Sequence, residues 1–70
     1  MIEEKSRAEI IGRRLAELRG HRSQQTVAKD LGISSSAVGM YETGQRIPRD
    51  PVKIRMAEYF GRSVEEIFYK

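Results

Sequence analysis

Apolar residues recur along this chain at the spacing of a helix face. Ile11, Leu15 and Leu18 make one stripe, Val27, Ala28 and Leu31 a second, and Val38 with Tyr41 a third. Ile54, Ala57 and Phe60 form a fourth, and Val64, Ile67 and Phe68 a last short one. Steps of three and four are the signature of α-helices with one face in a core. No stretch alternates apolar and polar as a half-buried strand does, and there is no internal repeat or low-complexity run.

Start and stop signals divide the pattern into five helices. Ser6 and Glu9 have the spacing of a capping box, so the first helix is expected from about Ser6 to Arg19, ended by Gly20. Ser23 caps a second helix that stops at Gly32, and Ser34 begins the third. Gly44 and Pro48 bracket a loop. Asp50 and Pro51 read as the cap and first-turn proline of a fourth helix, closed by Gly61. Ser63 and Glu66 form a second capping box for the last. The expectation is an all-α, compact five-helix domain over residues 6–70, preceded by a short N-terminal segment, residues 1–5.

The third helix is unlike the rest. Val38 and Tyr41 anchor it, but its other side presents Ser35, Ser36, Gly39, Met40 and Thr43 where a solvated face would carry Lys and Glu. Gly39 alone costs about 1 kcal/mol relative to Ala in a helix interior. Such a face is suited to fitting against something. Its connection to the second helix is also unusual, because only Gly32 and Ile33 lie between Leu31 and the cap Ser34. So tight a joint forces the helices to cross steeply. Ala28, Gly32 and Val38 then supply the small contact residue, the turn glycine and the inward anchor of a helix-turn-helix formed by the second and third helices.

Composition narrows the chemistry. Seventy residues make one small domain with a marginal core, so function is expected on its surface. There is no cysteine and one histidine, His21, which excludes a disulfide framework and leaves no metal cluster or cofactor to propose. Ser34, Ser35 and Ser36 have no identifiable base, so the chain is not expected to be an enzyme. No apolar run reaches the ~20 residues that span a bilayer, and "MIEEKSRAEI" lacks the apolar block of a signal peptide; a cytoplasmic protein with no membrane association is expected. The net charge of +3 is unevenly spread. Between Arg13 and Arg55 stand nine bases against four acids. A basic middle suits a polyanion, and an ordinary solvated surface equally.

With these residues in place, the chain resembles the phage Cro and cI type of helix-turn-helix regulators, the XRE family, from "IGRRLAELR" to "SVEEIF". The resemblance is carried by Ile11, Arg19, Ser23, Gln24, Ala28, Gly32, Ser34, Val38, Tyr41, Glu42, Gly44, Arg46, Pro48, Ala57 and Phe60. It implies that the third helix enters the major groove of double-stranded DNA while the start of the second, Ser23 and Gln24, grips phosphate. Ser35, Ser36, Gly39 and Met40 would line the groove, Met40 either touching a thymine methyl or covering the core. Thr43, Gln45 and Arg46 would contact the DNA backbone, with Arg49 either adding to them or simply solvated. Arg19 and Glu42 resemble a structural ion pair that ties the first helix to the third.

Two features depart from that family. The segment "RGHRSQQ" is shorter and more polar than the usual link between the first two helices. The reading helix also lacks the Arg, Gln or Asn whose bidentate base contacts are worth roughly 1–3 kcal/mol each. The acidic Glu3 and Glu4 argue against a minor-groove arm. The function implied is a sequence-specific transcriptional regulator, a repressor acting as a homodimer on a pseudo-palindromic operator, its dimer contacts expected from Tyr59, Ile67, Phe68 and Tyr69. An autoregulating antitoxin or a restriction-system controller fits the same residues. A protein-binding adaptor on the same fold is the alternative from another class, separated from the regulator by salt-dependent binding to duplex DNA.

Overall fold

The computed structural model describes residues 6–70 as five consecutive helices. The expected segment 1–5, with Glu3 and Glu4, lies outside the described residues. Helix α1 spans Arg7–Arg19 and opens on the capping box: the Glu9 amide donates to Ser6 Oγ at 3.2 Å while Glu9 Oε1 accepts from the Ser6 amide at 3.1 Å. Helix α2, Gln24–Leu31, starts from Ser23, whose Oγ accepts from the Thr26 amide, and α3, Ser35–Glu42, starts from Ser34, whose Oγ accepts from the Ala37 amide. Between them Gly32 turns the chain at φ 74°, a left-handed conformation that a side chain would strain, and its amide donates back to the end of α2. Helix α4 spans Asp50–Phe60, and α5, Glu65–Tyr69, is a single π-helical turn.

The core is built from one or two positions per turn of α1, α2, α4 and α5: Ile11, Leu15, Val27, Leu31, Met56, Ala57, Ile67 and Phe68. Leu18, Ile33, Tyr41, Val52, Tyr59, Phe60 and Val64 close around it. Helix α3 packs on α1 and α2 through buried Val38 and half-buried Tyr41. Its close approach to α1 depends on Gly12, where a Cβ would stand 2.6 Å from the Tyr41 carbonyl oxygen and also strike that of Glu42. Two residues on, Arg14 ties α1 to the end of the chain, donating to the carbonyl oxygens of Glu66 at 3.2 Å and Ile67 at 3.0 Å, and to that of Lys70.

Three expectations are corrected. Arg49, not Asp50, is the cap residue of α4, and no side chain caps it. Asp50 is instead the first helical residue, where its charge still complements the helix dipole and sits 3.7 Å from Lys53 Nζ. Ile54 does not join the core and is 52% exposed. The buried line of α4 runs through Val52, Met56, Ala57 and Phe60, and steps of four set its face differently from steps of three. Ile67 and Phe68, expected at a dimer contact, are 2% and 1% exposed. They fill the monomer's own core, because the π turn and the second capping box fold them back under α1. In that box the Ser63 amide donates to Glu66 Oε1 at 2.9 Å and the Glu66 amide to Ser63 Oγ at 3.0 Å.

Candidate nucleic-acid interface

The outer side of α3 combines small side chains with exposure. Ser35 and Ser36 are exposed, Gly39 and Met40 half-buried, and Thr43 exposed at the helix end. Serine hydroxyls there can donate or accept with little side-chain entropy to lose, and Gly39 leaves the backbone open to a close approach. Met40, half-buried, spans the boundary between core and surface.

Helix α3 is oriented by a half-buried polar cluster. Arg19 Nε donates to Glu42 Oε2 at 2.7 Å and Nη2 to Oε1 at 3.1 Å, a two-pronged contact between the last turns of α1 and α3. The Glu42 side chain is only 7% exposed. The hydrogen bond to Glu42 raises the pKa of the Arg19 guanidinium above its already high ordinary value, partial burial opposing the shift. Gln24 Nε2 adds a third donor to the same carboxylate, at 2.9 Å from Oε1. The charge of Glu42 is therefore met from two sides, and α1, α2 and α3 are fixed at one point.

This cluster changes the picture of Gln24. Sequence reasoning places it at a phosphate, and it does stand at the N-terminus of α2. Its carboxamide, however, lies across α3, with Oε1 3.7 Å from where a Cβ of Gly39 would be, and one of its protons is committed to Glu42. The second amide proton and the free backbone N–H groups of the first turn of α2 remain for a ligand. Ser23, beside it, uses its hydroxyl on Thr26: Oγ accepts the amide proton and lies 3.0 Å from Thr26 Oγ1. Thr43 and Gln45 are also engaged locally. Thr43 Oγ1 donates to the Gly39 carbonyl at 2.9 Å, finishing α3, and accepts from Gln45 Nε2 at 2.9 Å.

The basic middle is not one patch. Arg14 holds the end of the chain, and Arg19 pairs with Glu42. Arg22 donates to the carbonyls of Leu18 and Arg19 while stacking over the Tyr59 ring at 5.0 Å. Lys53 donates to the Tyr69 hydroxyl at 2.8 Å. Arg13, Lys29, Arg46, Arg49 and Arg55 have no side-chain hydrogen bond or ion pair among the described residues. Of these, Arg46 and Arg49 lie in the exposed loop after α3, on either side of Ile47 and the buried Pro48. Ile47, 44% exposed, is a surface residue that the pattern of apolar stripes did not single out. Gly12 was also missed, although a glycine amid good helix formers is the signal for close packing. Tyr59 and Tyr69, expected at a dimer contact, are half-buried and exposed respectively, each hydroxyl bonded within the chain.

Two helices joined by Gly32, Ile33 and Ser34, the second of them exposed along its outer side and braced from behind by the first helix, define a helix-turn-helix. The chain belongs to the helix-turn-helix domain family, whose model matches residues 10–67. Among solved structures, the SOS-response transcriptional repressor LexA from Eubacterium rectale has the same fold. It aligns with a TM-score of 0.83 at 24% identity, over 100% of this chain and 76% of that one. No curated protein matches. No described helix is long and apolar enough to cross a membrane.

Proposed function

We propose that the protein is a cytoplasmic, sequence-specific double-stranded DNA-binding regulator of transcription, acting without catalysis or cofactor, and a repressor that works as a homodimer on a pseudo-palindromic operator. The observation that carries this reading is the small-residue outer side of α3, followed in the next loop by Arg46 and Arg49, which have no partner among the described residues. A helix with that side can approach base edges in the major groove while the arginines neutralise flanking phosphates. The likeness to the solved LexA structure, that of a transcriptional repressor, supports the reading. So does the resemblance to Cro and cI regulators, which places backbone contacts at Thr43, Gln45 and Arg46. With few side chains on α3 able to make bidentate base contacts, much of the specificity falls to DNA shape.

Selection of bound sites from a random duplex library tests the proposal: a two-fold symmetric consensus is expected, with half-sites about one helical turn apart. Affinity should fall steeply with salt, and Arg46→Ala should weaken all duplexes alike while lowering the salt slope by about one unit. Enrichment of no sequence, with salt-insensitive and negligible binding, would refute the regulator and favour a protein-binding adaptor.

A further inference from the structure

We propose that the outward side of α4 is the surface through which two copies of this chain associate. The inference rests on the dimeric part of the reading above and supplies the surface that buried Ile67 and Phe68 cannot. Ile54 is 52% exposed in the middle of a helix whose remaining aliphatic residues turn inward. At 3.6 residues per turn, Glu58 and then Arg55 lie to one side of Ile54 on the outward half of the helix, Arg55 nearer α2, with its Nη1 3.7 Å from where a Cβ of Gly32 would stand. Both are exposed, and neither side chain has a hydrogen-bond or ion-pair partner among the described residues. Beside them, between α2 and α4, opens a hollow of about 300 Å³ lined by Asp30, Leu31, Arg55, Glu58 and Tyr59. Its wall is fixed, because the Tyr59 hydroxyl donates to Asp30 Oδ2 at 2.6 Å.

A second copy fits this surface by symmetry. Opposite charges three residues apart on one helix side complement themselves when the helix meets its own copy in antiparallel orientation. With the two-fold axis at the level midway between Arg55 and Glu58, each Arg55 comes level with the partner's Glu58, and the pair forms twice. The same arrangement sets both Ile54 side chains along one edge of the seam, out of water, and closes the two hollows along the other. Such a seam buries an exposed aliphatic side chain while pairing two charges that have no partner among the described residues. Helix α3 packs chiefly on α1 and α2, so contact through α4 leaves its outer side open.

Sedimentation equilibrium of the full chain, over concentrations on the order of 1 to 100 μM, tests the seam with four variants. Arg55→Glu and Glu58→Arg each turn two attractive pairs into two repulsive ones, and each should raise the dimer dissociation constant by at least about tenfold. The double variant exchanges the charges and should return it to within about threefold of the parent. Ile54→Glu should also be monomeric. Circular dichroism melts should show all four folded, since the altered positions are exposed. A parent that stays monomeric throughout, single variants that remain dimeric, or a double variant as weak as the singles would each overturn the proposal. Binding to a duplex with one half-site, which needs no dimer, is measured alongside. A charge-restored dimer that ignores that duplex supports the seam and overturns the DNA reading, so the two fail separately.

Discussion

Two glycines inside helices should respond to the same substitution with opposite signs. Gly→Ala in a helix interior gains about 1 kcal/mol from propensity if nothing else changes. At Gly39 little else changes, since the nearest atoms to a new Cβ are Oε1 and Nε2 of Gln24, at 3.7 and 3.9 Å, ordinary contact distances. Gly39→Ala should therefore stabilise by about 1 kcal/mol. At Gly12 the new Cβ would stand 2.6 Å from the Tyr41 carbonyl oxygen and 2.8 Å from the Glu42 carbonyl carbon, atoms of a helix backbone that no rotamer change can move. Helices α1 and α3 must separate and the Arg19–Glu42 contact is stretched with them, which places the cost in the upper part of the overpacking range, about 2–3 kcal/mol. Set against the propensity gain, Gly12→Ala should destabilise by about 1–2 kcal/mol. In a domain this small each kilocalorie moves the midpoint by roughly 4–8 °C, so thermal melts followed by circular dichroism resolve both signs. A Gly12→Ala variant as stable as the parent would refute the close approach of α1 and α3. Gly39→Ala carries a second readout: the added methyl lies on the side proposed to enter the groove, so the more stable protein should bind duplex more weakly.

The remaining expectations concern charge. Arg19→Met should cost about 2–3 kcal/mol by stranding a 7%-exposed carboxylate, while combining it with Glu42→Leu should recover much of the loss; strict additivity in a double-mutant cycle of chemical unfolding would show that the two residues do not interact. Ser36→Glu should leave the melt nearly unchanged, because the residue is exposed, yet abolish duplex binding; Val38→Glu, two positions on and 3% exposed, should unfold the protein outright. An unfolded Ser36→Glu, or one that binds normally, would count against the assignment of the α3 surface. Glu66, held below the usual carboxylate range mainly by the Ser63 amide hydrogen bond, contributes stability that is complete above that range and is lost as pH falls through its folded-state pKa. Glu66→Gln should keep the cap but flatten this acid limb of the melt profile, and an unchanged limb would exclude Glu66 as a source of it.

Local chemistry is what the sequence states most openly, and the fold was legible wherever local chemistry decides it. Ser6 with Glu9, Ser23, Ser34, and Ser63 with Glu66 all act as cap residues, because a hydroxyl one turn before a free amide has few other options. Angular position was legible only while the apolar spacing was unambiguous. On α4, Ile54, Ala57 and Phe60 made a credible stripe, but Met56 supplied a better one with Val52 and Phe60, and a rotation of that size moves an isoleucine from core to water. The Cro and cI resemblance implied the Arg19–Glu42 contact without showing that Gln24 completes it.

What remained hidden depends on how closely helices approach. Gly12 had no role in the apolar pattern of α1, and only the carbonyls of α3 beside it give it one, while Gln24 looked like a phosphate donor until α3 passed beneath its carboxamide. Both positions sit where the outer helix is braced against the two behind it. The same bracing explains why α3 can carry so little of its own stability. A helix with Gly39 and three serines near its start has poor intrinsic propensity. Val38 and Tyr41 in the interior, and Glu42 clamped by Arg19 and Gln24, hold it from behind. Ser35 and Ser36, exposed and making no side-chain hydrogen bond among the described residues, are thereby left free for the contact proposed for α3.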